Sequence, residues 1–200
     1  MKREFKITAA AIIFMAIIYY IAEPYEIAAI LIPAAVHEMG HIGAIKILGL
    51  HIKSFSAELK GFCIDYYGST AELGHILIAA CGPAAGFIYA YAASKCAEIY
   101  SSDFLALSAG VSLLLSLFNL LPVMPLDGGR IAASVLGLLF GNRRGGRIAA
   151  KLSTGISLLI MAAGIYFMVK NRGIALLTAS VWLLFYGDEG KTIVKPGEIL

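Results

Sequence analysis

The chain has 200 residues, of which 60% are hydrophobic and only 14% charged, with a formal net charge of +3. Its mean hydropathy is +0.83; a soluble domain carries about 25% charged residues, and a chain this apolar has too little polar surface to coat one small core, which excludes a water-soluble globule and points to an integral membrane protein. The basic residues are scattered, so nucleic-acid binding has no support, and Cys63, Cys81 and Cys96 lack the CxxC spacing of a cysteine metal site or the even number of a disulfide framework.

The first predicted span runs near 5–22. It reads as an uncleaved span because no A-x-A cleavage site follows and a second apolar segment begins almost at once, and Tyr19 and Tyr20 suit an interfacial belt. The second span runs near 26–48, after the turn-like EPYE. Residues 51–69 mix charged, β-branched and aromatic residues around Lys60-Gly61 and predict a short hairpin at the membrane face. A third span covers about 71–95. Residues 104–140, as one helix, would reach about 55 Å, too long for one span. LLPVMPLDGGR, with Pro122, Pro125, Gly128 and Gly129, stops the helix midway, so the stretch reads as one interrupted span with a loop at membrane depth. The fifth and sixth spans fall near 148–169 and 173–187.

The expected fold is therefore an all-α polytopic membrane protein with about six transmembrane helices, one of them interrupted, and a short membrane-face β-hairpin. It forms a single domain over 1–200, with a core at 26–140, a hairpin or re-entrant segment at 51–69 and C-terminal spans over 141–200. Most basic residues, from Lys2 and Arg3 to the cluster Arg143, Arg144, Arg147 and Lys151, then fall on one side, against Lys95, Lys170 and Arg172 on the other. Positive charge favours the cytoplasm, so both termini are expected there.

Residues 33–42 read PAAVHEMGHI. His37 and His41 stand four apart, so on a helix both imidazoles lie on one face and can converge on one ion. Glu38 is rotated beside them, near enough to reach a water molecule without taking a ligand position. That is the mechanical content of H-E-x-x-H: two zinc ligands and one general base. Each charged group at bilayer depth costs about 3 kcal/mol, which favours a function over a buried pair that only joins helices. Pro33 removes the helical partner of the Ala29 carbonyl just before the ligands. Catalytic zinc takes three protein ligands, and Asp127 is the best third. It lies in the broken loop, freed from helical geometry, where burial gives an acid a reason to exist. Its rivals are Glu58 and Asp65 in the hairpin, where exposed charge needs no cause, and Glu72 and His75 at the start of the third span, where they can sit among headgroups.

HEMGH in the second span, GPAAG at 82–86 and NLLPVMPLDGG at 119–129 together resemble the site-2 proteases, polytopic zinc metalloproteases that cut membrane-spanning substrates. The resemblance covers about 26–140 and looks nearest the compact sporulation branch, whose member activates a membrane-tethered transcription-factor precursor. It implies Zn2+ held by His37, His41 and Asp127, with Glu38 activating water, and Asn119 helping to hold the substrate backbone. Gly82, Pro83 and Gly86 match the family's small-residue motif, although Gly86 stands where many members have asparagine; close packing through small residues accounts for it. The expected partners are a transmembrane protein substrate, the lipid bilayer and separate regulatory membrane proteins, in a bacterial cell membrane. The resemblance also implies that the hairpin offers an edge to an unwound substrate. Two competing readings are a metal-ion transporter, since ionisable residues in spans also mark ion paths, and a relative that binds membrane clients without cutting them.

Overall fold

The computed structural model describes residues 4–8, 16, 19–20, 22–58 and 61–187. In chain order these form β1 (Glu4–Ile7), α1 (Pro24–Ile47), β2 (His51–Glu58), β3 (Gly61–Tyr67), α2 (Glu72–Tyr100), α3 (Asp103–Asn119), α4 (Asp127–Phe140), α5 (Asn142–Val169) and α6 (Ala175–Gly187). Three helices, α1, α2 and α5, are long and apolar enough to cross a membrane, and α3 and α6 are shorter apolar helices. The chain divides after Phe118 into two compact units.

In the first unit, α1 opens on a capping box in which the Glu23 amide donates to the Glu26 carboxylate at 3.1 Å, and Pro24 stands where a helix needs no amide. Five of its six buried residues, Ala29, Pro33, His37, His41 and Ile45, recur every four positions and the sixth, Ala44, adjoins Ile45, so one stripe faces protein. Ile30, Leu31, Met39 and Ile47 are exposed on its other sides, as lipid contact requires. Gly49 takes a positive φ of 72° that turns the chain toward β2.

The expected hairpin is present: β2 and β3 pair antiparallel, with Phe55 opposite Ile64 and a register irregularity between Ile52 and Ser54. It is tied down by a cluster of Ala44, Ile45, Leu50 and Ile78, onto which Ile52, Ile64 and Tyr66 pack. Tyr66 and His75 bond at 2.8 Å from hydroxyl to Nδ1, joining β3 to the first turns of α2.

The start of the first expected span is corrected. Residues 4–7 are strand β1, paired parallel with β2, Phe5 opposite Phe55. Charged and apolar residues alternate in EFKI, a period of two that fits a sheet edge better than a lipid-facing helix. Most of the rest of that span falls outside the described residues.

α2 runs five residues beyond its expected end, and Ser101, at φ 48°, and Ser102 turn the chain back into α3. The Ser102 amide caps the Ala97 carbonyl at 3.2 Å. The interruption expected within 104–140 falls at 120–126, between α3 and α4. In the second unit, Gly145 on α5 lies against the backbone of Leu136 and Gly137, and Gly164 against Leu176 and Leu177 of α6, so backbones rather than side chains set the spacing of these helices.

Candidate metal centre

The two histidines are held by the packing of α1 on α2. Gly40, between them in sequence, touches the Cys81 carbonyl; a β-carbon there would lie 2.9 Å from the Ala85 methyl. The helices therefore approach closely at the level of the imidazoles. Across from them stands Gly82, where a β-carbon would collide with the His41 ring and come within 2.9 Å of His37 Nε2. Space for the two rings exists because α2 has no side chain at that point.

His41 donates from Nδ1 to the Ile78 carbonyl at 2.8 Å, which leaves Nε2 with its lone pair. That atom lies 3.2 Å from His37 Nε2, with the rings edge to face at 79°. Two ring nitrogens this close share either a proton, with His37 Nε2–H donating to His41 Nε2, or a metal ion. Nitrogens each about 2.0–2.1 Å from one tetrahedral zinc stand about 3.3 Å apart, close to the separation found. His37 and His41 are only 4% and 8% exposed, so the pair is shielded from bulk water.

Asp127 is positioned differently. The turn before it is buried, with Val123 fully covered and Leu126 nearly so. Its backbone groups are satisfied locally: Val123 N–H donates to Leu121 at 2.7 Å, Leu126 N–H to Val123 at 2.9 Å, and Met124 N–H to the Ser153 hydroxyl at 3.0 Å. The Met124–Pro125 peptide is cis. Gly128 lies on the carbonyls of Leu120 and Leu121, and Gly129 on Val123, so the turn folds back onto the first turn of α4. Asp127 heads that helix, where the N-terminal dipole favours a carboxylate, and it is 6% exposed.

Among the described residues, one group of three could hold a metal ion. It comprises His37, His41 and Asp127, all buried, with ligand atoms within 4.8 Å of one another. Two imidazoles and a carboxylate are a donor set of catalytic zinc, with a fourth position open. The described rivals do not join this group. Asp65 is exposed and accepts from Ser54 at 2.6 Å, His75 is bonded to Tyr66, and Glu72 sits half-buried in the first turn of α2; the side chain of Glu58 lies outside the described residues. Glu38 is half-buried on α1 beside His37, and Asn119 is the half-buried last residue of α3. Sequence reasoning missed the roles of Gly40, Gly82 and the Ile78 carbonyl. Only the glycine inside HEMGH and the one opening GPAAG hinted at them, and what approaches a glycine is not written beside it.

The model of Peptidase family M50 matches residues 86–164, which include Asn119 and Asp127. The chain is 24% identical over 169 residues to Zinc metalloprotease MJ0392 of Methanocaldococcus jannaschii, covering 82% of this chain and 48% of that protein. It is 30% identical over 192 residues to Putative zinc metalloprotease Rip3 of Mycobacterium tuberculosis, covering 86% and 45%. It thus spans about half the length of the curated relatives it matches. In fold it is similar to the Site-2 Protease from Methanocaldococcus jannaschii, with a TM-score of 0.75 at 21% identity over 100% of this chain and 97% of that one. Residues 86–164 thus match Peptidase family M50, the relatives are named as zinc metalloproteases, and the shared architecture is that of a polytopic membrane protein, all in agreement with the His–His–Asp donor set.

Proposed function

We propose that the chain is an intramembrane zinc metalloendopeptidase that hydrolyses peptide bonds of membrane-spanning proteins, a membrane-tethered transcription-factor precursor among them. The observation that carries this reading is the buried group His37, His41 and Asp127 with Glu38 on the same helix turn. Zinc, when bound, supplies Lewis-acid polarisation of the scissile carbonyl. The chain's own residues do the rest. His37, His41 and Asp127 hold the ion, and the aspartate offsets part of its charge in a medium of low dielectric. Glu38 takes a proton from the attacking water and returns it to the departing amine.

A substrate helix must unwind before its carbonyls can react. β2 is flanked by β1 and β3, which leaves β3 as the hairpin edge for an unwound segment to join. Asn119 is positioned in this reading to hold the substrate backbone. Regulation comes from separate membrane proteins, and the protein sits in a bacterial cell membrane with both termini cytoplasmic. Replacing Glu38 with Gln tests the reading: cleavage of a transmembrane reporter should fall about 10²–10⁴-fold while bound zinc is retained. Undiminished cleavage by that variant refutes it.

A further inference from the structure

The buried face of α3 presents a hydroxyl at every turn, from Ser108, Ser112 and Ser116, each 1% exposed or less. Two are satisfied within the helix pair. Ser108 bonds the Tyr89 hydroxyl at 2.7 Å, and Ser112 donates to the Gly86 carbonyl at 2.8 Å. These contacts set the antiparallel register, with Tyr89 level with Ser108 and Gly86 level with Ser112. Ser116, one turn further along α3, lies against Gly86, one helical turn along α2 from Gly82, where the two imidazoles lie. Helical side chains lean toward the N-terminus of their own helix, so the Ser116 hydroxyl leans back, and a β-carbon at Gly86 would collide with it. Ser116 Oγ therefore sits at the level of Gly86, about one helical turn from His37 and His41 along the axis. Unlike its two neighbours, it has no hydrogen-bond partner among the described residues. A buried hydroxyl left unbonded is unfavourable, and here the unbonded one is the one nearest the chemistry.

We propose that Ser116 is a substrate-binding residue whose hydroxyl donates to a backbone carbonyl of the unwound chain, within two residues of the bond that is cut. The inference rests on the proteolytic reading above. Extended chain advances about 3.3 Å per residue, so a carbonyl one or two residues from the scissile one reaches the level of this hydroxyl. An unwound segment in lipid has lost its helical donors and needs replacements. A serine hydroxyl serves any side-chain sequence, and glycine at position 86 leaves it room.

The test uses the full chain in lipid nanodiscs with zinc and a fluorescent leucine–alanine peptide of about 24 residues, long enough to span, with Gly-Pro at its centre. Cleavage of this peptide by the unaltered protein judges the proteolytic reading separately. Binding is then measured to Glu38→Gln with and without Ser116→Ala. The added substitution should weaken binding about tenfold, the worth of one hydrogen bond to a desolvated carbonyl. Ser116→Ala alone should leave the Tm unlowered, whereas Ser112→Ala, which removes an internal bond, should lower it. Backbone esters walked through the peptide should find one position that weakens binding to the Ser116 protein and has no effect on the Ser116→Ala protein. Equal affinities, a Tm loss like that of Ser112→Ala, or one ester profile for both proteins overturns the proposal and assigns the hydroxyl to a structural contact or a held water.

Discussion

The histidine-bearing helix pair and the aspartate-bearing turn solve the same problem by different means. His37 and His41 share a face because the α-helix repeats every 3.6 residues, and two glycines then bring α1 and α2 close enough to fix the rings. Asp127 owes nothing to periodicity. It is fixed by a non-repeating turn whose amides find partners one at a time and whose two glycines lie on backbone. The first arrangement should be robust to anything that leaves the helices packed, and the second sensitive to each individual contact.

The largest effects test whether the two regions serve one ion. His37→Ala and Asp127→Ala should each strip zinc from the purified protein, as metal analysis would show, since removal of either leaves an incomplete donor set. Full retention of zinc by the aspartate variant would separate the regions. Next comes a comparison of glycines. Gly82→Ala should expel zinc while leaving helix content by circular dichroism unchanged, because its methyl enters ring space rather than a helix contact. Gly129→Ala drives a methyl into the Val123 backbone and should act through stability instead, costing about 1–3 kcal/mol in unfolding experiments. The smallest effects are single hydrogen bonds. Ser153→Ala leaves the Met124 amide unpaired and should cost about 1 kcal/mol, with faster zinc release on chelator challenge. Tyr66→Phe should cost about the same but leave zinc release unchanged, since the hydroxyl ties down the hairpin rather than a ligand.

This contrast also explains what could be read in the residues. The shared face of His37 and His41 is legible in HEMGH because helical spacing is local, and the hairpin is legible from the composition around Lys60-Gly61. The break at 120–126 is legible from its prolines and glycines. β1 was not, because four residues at the head of an apolar run look like the start of a helix, and only a partner some fifty positions away makes them a strand. The serine line of α3 was equally hidden. Hydroxyls in an apolar helix announce nothing until the register with Gly86 and Tyr89 is known.

α2 donates no ligand, yet on one flank it carries His75 for the hairpin, the Ile78 carbonyl for His41, and the bare positions 82 and 86. It works as a jig against which other parts are aligned. Anyone grafting this candidate centre into a designed bundle by copying His37, Glu38, His41 and Asp127 alone would obtain the right side chains in the wrong places. A faithful transplant must also carry that flank of a helix that never touches the ion.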